Sequence, residues 1–200
     1  LNLRSSNWWN EQSVSWHGFY MTSDDENENS DDVIGTHFTF PNYPFRASGH
    51  WVRTGDNFNP ALGFVRRRGG ESTGLGFTYY FEQPENELLE DISVGAEYDR
   101  YEWLDGDLDS DELEINLIGI RTLAGDFLGL EVEFERDILQ EPFEIIDEVI
   151  IPSSEYKGID FELEFRSSSN RPVFGEFEIA YGHFYGGKAT NAEIDLSWRP

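Results

Sequence analysis

The sequence predicts an all-β protein, an antiparallel up-and-down meander of about ten long strands. Three observations predict it. Apolar and polar residues alternate with period two over most of the chain, and helical periodicity is almost absent. Aromatic residues make up 16% of the chain within a hydrophobic total of 38%, a balance that suits ring-rich pleated surfaces better than an aliphatic core. Most alternating segments run to about 9–12 residues, against about 5–6 for an ordinary globular strand.

The first five strands are expected near 12–22, 33–41, 44–55, 72–83 and 91–103. Thr73, Leu75, Phe77, Tyr79 and Phe81 share one face of the fourth; Ile92, Val94, Ala96 and Tyr98 share one face of the fifth. In 112–117, Leu113, Ile115 and Leu117 oppose Glu112, Glu114 and Asn116. In 127–135, Leu128, Leu130, Val132 and Phe134 oppose Gly129, Glu131, Glu133 and Glu135. In 160–166, Phe161, Leu163 and Phe165 alternate with Glu162, Glu164 and Arg166. In 173–185, Phe177, Ile179 and Tyr181 oppose Glu176, Glu178, Ala180 and Gly182. The last strand, 191–198, sets Ala192, Ile194, Leu196 and Trp198 against Asn191, Glu193, Asp195 and Ser197.

Tight turns are expected at Gly125-Asp126, Ser168–Asn170 and Gly186-Gly187, and longer polar loops at Ser23–Asp32, Pro84–Glu90 and Leu104–Ser110. The segment 138–157 breaks the alternation. It holds Pro142, Pro152 and an apolar run of Ile145, Ile146, Val149, Ile150 and Ile151, and reads as an extended loop folded inside or over a barrel.

Alternation alone fits both a soluble sandwich, with its apolar face in a shared core, and a membrane barrel, with its apolar face in lipid. Three details favour the barrel. Strand length is one. The aromatic supply, including Trp51, Trp103 and Trp198, suits membrane interfaces. Small residues within strands (Gly74, Gly76, Gly95, Ala96, Gly129, Gly182) suit a curved sheet.

The formal net charge is -26, from 14 basic and 40 acidic residues. It argues against nucleic-acid binding and against docking by charge on an anionic membrane surface. The absence of cysteine excludes disulfides and thiolate metal sites. No stretch reaches the roughly 18 apolar residues of a membrane helix, a test to which barrels are blind. The chain begins at Leu1, as expected of a processed or excised piece.

Candidate chemistry is sparse. Asp105, Asp107, Asp109 and Asp111 form a D-x-D-x-D series of the kind that supplies oxygen ligands to calcium. Its sixth and twelfth positions are Ser110 and Asn116 where a calcium-binding hand needs Gly and Glu, so an acidic surface loop is the competing reading. Asp24, Asp25, Glu26, Glu28, Asp31 and Asp32 read as a solvated acidic loop. His17, His37, His50 and His183 have no metal-ligand spacing. Hydrolase, metalloprotease and phosphate-loop motifs are absent, so the chain is not expected to be an enzyme or to need a cofactor. Carboxylate pairs such as Glu131 with Glu133 and Glu162 with Glu164 keep a secreted glycosidase fragment open as one alternative. A soluble β-sandwich binding carbohydrate through Trp8, Trp9 and Trp16 is the other.

The segment 43–69 carries Asp56, Asn57, Phe58, Asn59 and Pro60, then Gly63, Phe64, Val65, Arg66 and Arg67. Later pieces are Pro142-Phe143 with Ile151-Pro152 and Tyr156, Ser167–Arg171 leading to Gly182–Tyr185 and Gly186-Gly187, and Trp198-Arg199-Pro200. In these the chain resembles outer-membrane proteins of Gram-negative bacteria. In that family a domain like family-nine carbohydrate-binding modules precedes a C-terminal β-barrel of uncharacterised function. The resemblance implies a bacterial outer-membrane location, lipid contact, and glycan or other envelope proteins as partners. The sugar-binding-like domain is absent here and the family's barrel is longer, so the 200 residues are expected to be one barrel domain that is a fragment of a larger barrel. On the barrel expectation Glu112, Glu114, Glu131, Glu133, Glu162, Glu164, Glu176, Glu178, Glu193 and Asp195 face the lumen and favour cations. Arg46, Arg121, Arg136, Arg166 and Arg199 partly offset them.

Overall fold

The computed structural model describes residues 1–8, 11–24, 30–60, 63, 65 and 67–199. It is all-β, with 74% of residues in strands and no helix. Eleven strands follow one hydrogen-bonded order that keeps chain order. They are β1 (Asn2–Trp8), β2 (Gln12–Asp24), β3 (Ser30–Pro41), β4 (Phe45–Thr54), β5 (Gly70–Glu82), β6 (Leu89–Trp103), β7 (Leu108–Thr122) and β8 (Phe127–Ile138), then β11 (Glu155–Arg166), β12 (Val173–Phe184) and β13 (Gly187–Trp198). The short strands β9 (Phe143–Ile146) and β10 (Val149–Ile151) form a separate hairpin between β8 and β11. The up-and-down antiparallel expectation holds, with two additions: β1, and this hairpin where an extended loop was expected.

By its internal contacts the chain divides into two units, Leu1–Phe77 with Tyr98–Asp111 and Thr78–Glu97 with Glu112–Pro200. The boundary falls within β5, β6 and β7. In the first unit β2, β3 and β4 pair in unbroken register from Asp24↔Ser30 to Pro41↔Arg46. In the second, β8, β11, β12 and β13 pair without a register shift. An unshifted ladder keeps every alternating side chain on its own face, because a slip of one residue would exchange the faces.

Neither unit has an ordinary core. Among the described residues only Val33, Phe58 and Val132 are buried apolar residues, and no large side chain is fully buried. Many large apolar strand residues are exposed instead, among them Leu75, Phe77, Phe161, Ile194 and Leu196.

Two hairpins share one turn. Trp103 donates to the Asp107 carbonyl at 2.8 Å and Gly106 to the Trp103 carbonyl at 2.9 Å; Thr122 donates to Asp126 at 2.9 Å and Gly125 to Thr122 at 2.9 Å. Gly106 and Gly125 take φ of +91° and +88°, the left-handed position that glycine occupies without a Cβ penalty. The expected long loop at Leu104–Ser110 is therefore a tight turn, because Leu-x-Gly-Asp recurs at 104–107 and 123–126. The loop expected at Ser23–Asp32 is partly strand, and Asp25, Glu26 and Glu28 lie outside the described residues.

Candidate functional site: an acidic sheet face

The second unit gathers carboxylates across neighbouring strands. Strand register places Glu131 opposite Glu162 and Glu133 opposite Asp160. It aligns Glu164 with Glu178 and Glu178 with Glu193, then Arg166 with Glu176 and Glu176 with Asp195. Glu114 of β7 neighbours Glu131, and Glu112 neighbours Glu133. All ten carboxylates singled out in the sequence thus share one face. Cross-strand partners stand about 4.5–5.5 Å apart at Cβ, so this face stacks like charges. Arg166 is built into it, ion-paired with Glu164 and, at 3.1 Å, with Glu176.

The opposite face of the same strands is apolar in matched rows: Leu130, Leu163, Ile179 and Ala192; then Leu128, Phe165, Phe177 and Ile194. Burial is inverted relative to a water-soluble sheet. On β11, Ile159, Phe161, Leu163 and Phe165 are all exposed, Phe161 at 51%, while Asp160, Glu162 and Glu164 between them are half-buried. β8 repeats this at Leu128, Leu130 and Phe134 against Glu131, Glu133 and Glu135.

In the first unit the loop between β4 and β5 carries the Asp56–Pro60 motif. Phe58 is one of the few buried apolar side chains. Asn57 N–H donates to Asp31 Oδ2 at 2.9 Å, and Asn59 N–H to Ser23 Oγ at 2.8 Å. Arg68 reaches Asn59 Oδ1 at 3.0 Å. Gly63 donates to the Pro60 carbonyl at 3.3 Å. Arg67 binds Asp109 at 2.7 Å and lies 4.9 Å from the centre of the Tyr101 ring. Phe64 and Arg66 of the motif lie outside the described residues, as do Trp9 and Pro200. The described residues Asn57, Asn59, Gly63 and Arg67 of the motif are each held by a hydrogen bond or ion pair.

The calcium expectation finds no coordinating geometry. Asp105 accepts the Asp107 N–H at 3.1 Å inside the turn, Asp109 is engaged by Arg67, and Asp111 accepts from the Tyr98 hydroxyl at 3.4 Å. Among the described residues no group of three or more His, Asp or Glu could hold a metal ion.

Two groupings were not legible beforehand. His17 pairs with His37, and His37 with His50, giving a cross-strand row on β2–β4. His50 Nε2 lies 3.2 Å from Ser72 Oγ and 3.7 Å from Asp99 Oδ1. Their separations of 20 and 13 positions carry no metal-ligand signal, and only the register aligns them. The second grouping surrounds Tyr185 in the β12–β13 turn. Its ring meets Phe143, Tyr156 and Phe184 edge-on at 5.4, 5.2 and 5.1 Å. Burial pushes the Tyr185 hydroxyl above its ordinary pKa, with Asp137 and Glu135 adding to the shift. Phe143 belongs to β9, and Tyr156 donates to the Pro152 carbonyl at 2.8 Å, so the cluster fastens both ends of the β9–β10 segment. The hairpin's own Ile146, Val149 and Ile150 are exposed.

Comparison of the chain with protein families, with curated proteins and with solved structures finds no match.

Proposed function

We propose that this chain forms part of an outer-membrane β-barrel and acts as a structural or transport component of the envelope, with its acidic face turned to the lumen. The observation that carries this reading is the inverted burial of β8 and β11, apolar side chains exposed and carboxylates sheltered. In water this arrangement is unfavourable, since each Leu, Ile or Phe left exposed forgoes roughly 1.5–3 kcal/mol of burial. In hydrocarbon the same residues match their surroundings, and the carboxylates are kept from lipid.

Strand length supports the reading. β5 has 13 residues, β6 and β7 have 15 each, and β8, β11, β12 and β13 have 12 each, against the about 9–11 that a tilted strand needs to cross a membrane. A soluble sandwich requires two packed sheets, whereas these eleven strands follow one hydrogen-bonded order. The partners of such a barrel are outer-membrane lipid and, on the resemblance of the 56–67 motif, surface glycan or other envelope proteins.

The test is expression with a secretion signal in a two-membrane bacterium. Envelopes are washed with carbonate and urea, and migration on a gel is compared before and after heating. Retention with a heat-dependent shift is expected. Release by the washes as a folded β-protein would overturn the reading.

A further inference from the structure

We propose that the cavity beside Tyr185 is a binding site for a trimethylammonium group, the cation carried by choline and by choline lipids. The proposal goes beyond the envelope reading and does not need it.

The cavity lies where β11 and β12 part. Their register runs from Arg166↔Glu176 to Phe161↔Tyr181. Beyond that pair, side chains take over from the backbone ladder. His183 N–H donates to Asp160 Oδ1 at 2.6 Å, and Ile159 N–H donates to His183 Nδ1 at 3.2 Å. Gly182 makes room for this, since a Cβ there would collide with the Asp160 carboxylate. The resulting space measures about 90 Å³. One water needs only about 10–15 Å³, so a compact group of several heavy atoms fits.

The walls combine rings and acids, and together they select the occupant. Tyr156, Phe184 and Tyr185 form the aromatic part. The Tyr185 ring stands at 90° to Tyr156 and 73° to Phe184, with centres 5.2 and 5.1 Å away. Rings set nearly at right angles turn their faces in different directions, as a cage does and a stack does not. Aromatic faces attract cations, and cages of this kind suit quaternary ammonium groups. Glu135 and Asp137 supply the negative side. Both border the cavity from β8, Glu135 opposite Gly158 and Asp137 opposite Tyr156. Lys157 borders it too, with its ammonium held by Glu155 at 2.9 Å. Tyr185 keeps its left-handed φ of 51° although Gly186 and Gly187 follow directly. Strain kept at a tyrosine beside two permissive residues points to a role for the ring.

The experiment uses the full chain refolded in uncharged maltoside micelles, at an ionic strength that screens diffuse attraction to the acidic surface. Choline is compared with two probes. One is the uncharged alcohol in which tert-butyl replaces trimethylammonium; the other is ethanolamine, which has the charge without the methyl groups. Saturation-transfer NMR from aromatic protons to the N-methyl groups should show contact. Choline should bind at least about tenfold tighter than either probe. Glu135→Gln with Asp137→Asn should remove its advantage over the alcohol. Phe184 is 48% exposed, so the fold tolerates its loss, which circular dichroism checks. Phe184→Leu should weaken choline at least about threefold and leave the alcohol unchanged. Phosphocholine separates the two sources. At a site for a free solute it should bind more weakly than choline, since the acids repel its phosphate; a lipid-headgroup site requires it to bind more tightly. Choline that gives no transfer, that binds no better than the alcohol or ethanolamine, or that binds both variants as it binds the parent overturns the proposal.

Discussion

Arg171 grips the Asp126 carboxylate with both terminal guanidinium nitrogens, Nη2 at 2.6 Å from Oδ2. Ser168 N–H adds a third bond to Oδ1 at 2.9 Å. The β7–β8 turn is thereby tied to the β11–β12 turn, and bidentate geometry makes this stronger than a single-point ion pair. Asp126 is held below the usual carboxylate range, first by the Arg171 hydrogen bonds and then by the Ser168 N–H. A carboxyl whose folded pKa lies below its unfolded value adds stability above the unfolded value and loses it as pH falls through the folded one. Asp126→Asn should therefore lower the thermal midpoint by a few degrees at neutral pH. The deficit should shrink as pH drops below the ordinary value of 3.8. A deficit that persists unchanged in acid would show that shape, and not charge, holds the two turns.

Leu163 sits on the apolar face between Leu130 and Ile179, beside the acidic Glu162 and Glu164. If this face meets lipid, Leu163→Arg costs ~2–4 kcal/mol near the bilayer midplane. If it meets water, an exposed substitution costs within about 0.5 kcal/mol. Chemical unfolding in phospholipid vesicles should give the larger figure. The smaller one would remove the main support for a membrane barrel. Glu162→Gln, on the other face, should be tolerated in both settings.

β8 and β11 were legible because strict alternation survives wherever neither face contacts a varied core; one period predicts both faces. The acidic face followed for the same reason, since cross-strand partners in an unshifted register must share a side. Other features were hidden by composition or by distance in sequence. At 104–110 a run of aspartates masked the Leu-x-Gly-Asp turn that the 123–126 segment also carries. β1, β9 and β10 have 7, 4 and 3 residues, too short for periodicity to register. The histidine row needs the β2–β3 and β3–β4 registers before it exists at all. The bonds that hold Asn57 and Arg67 need Asp31, which reads in sequence as part of a solvated acidic loop, and Asp109, which reads as a calcium-ligand candidate.

Gly70 is buried at the exit of the 55–69 loop. A Cβ there would lie 2.5 Å from the Tyr101 hydroxyl and 2.6 Å from the Glu102 carbonyl oxygen, a backbone atom that moves only with its strand. Gly70→Ala should destabilise the fold by ~1–3 kcal/mol through overpacking. Gly106→Ala offers a contrast. Its Cβ meets nothing within 4 Å, so any cost there comes from its left-handed φ alone. Equilibrium unfolding of both variants separates steric from conformational cost.

The row Glu164, Glu178 and Glu193 gives the lumen hypothesis an electrical consequence. Fixed negative charge along a pore raises local cation concentration and excludes anions. In planar bilayers, reversal potentials under a salt gradient should report cation preference. Replacing all three residues with glutamine should weaken it without changing the gel shift on heating. Anion preference in the parent protein would refute an acidic, conducting lumen.

Tyr185 occupies a left-handed backbone position, φ 51°, where a non-glycine residue costs roughly 1–2 kcal/mol. Its three edge-on ring contacts, each worth about 0.5–1.5 kcal/mol beyond burial, can offset that cost. Tyr185→Gly removes the strain and the contacts together. If strain dominated, the variant would be more stable throughout. If the ring fastens the β9–β10 hairpin, proteolytic cleavage and amide exchange within 139–154 should quicken while β8 and β11 stay protected. Tyr185→Asn, which tolerates the same backbone angle without supplying a ring, should behave like Tyr185→Gly. Protection of 139–154 in both variants would leave the hairpin held by its own strand pairing, which at 3 and 4 residues is too short to be stable alone.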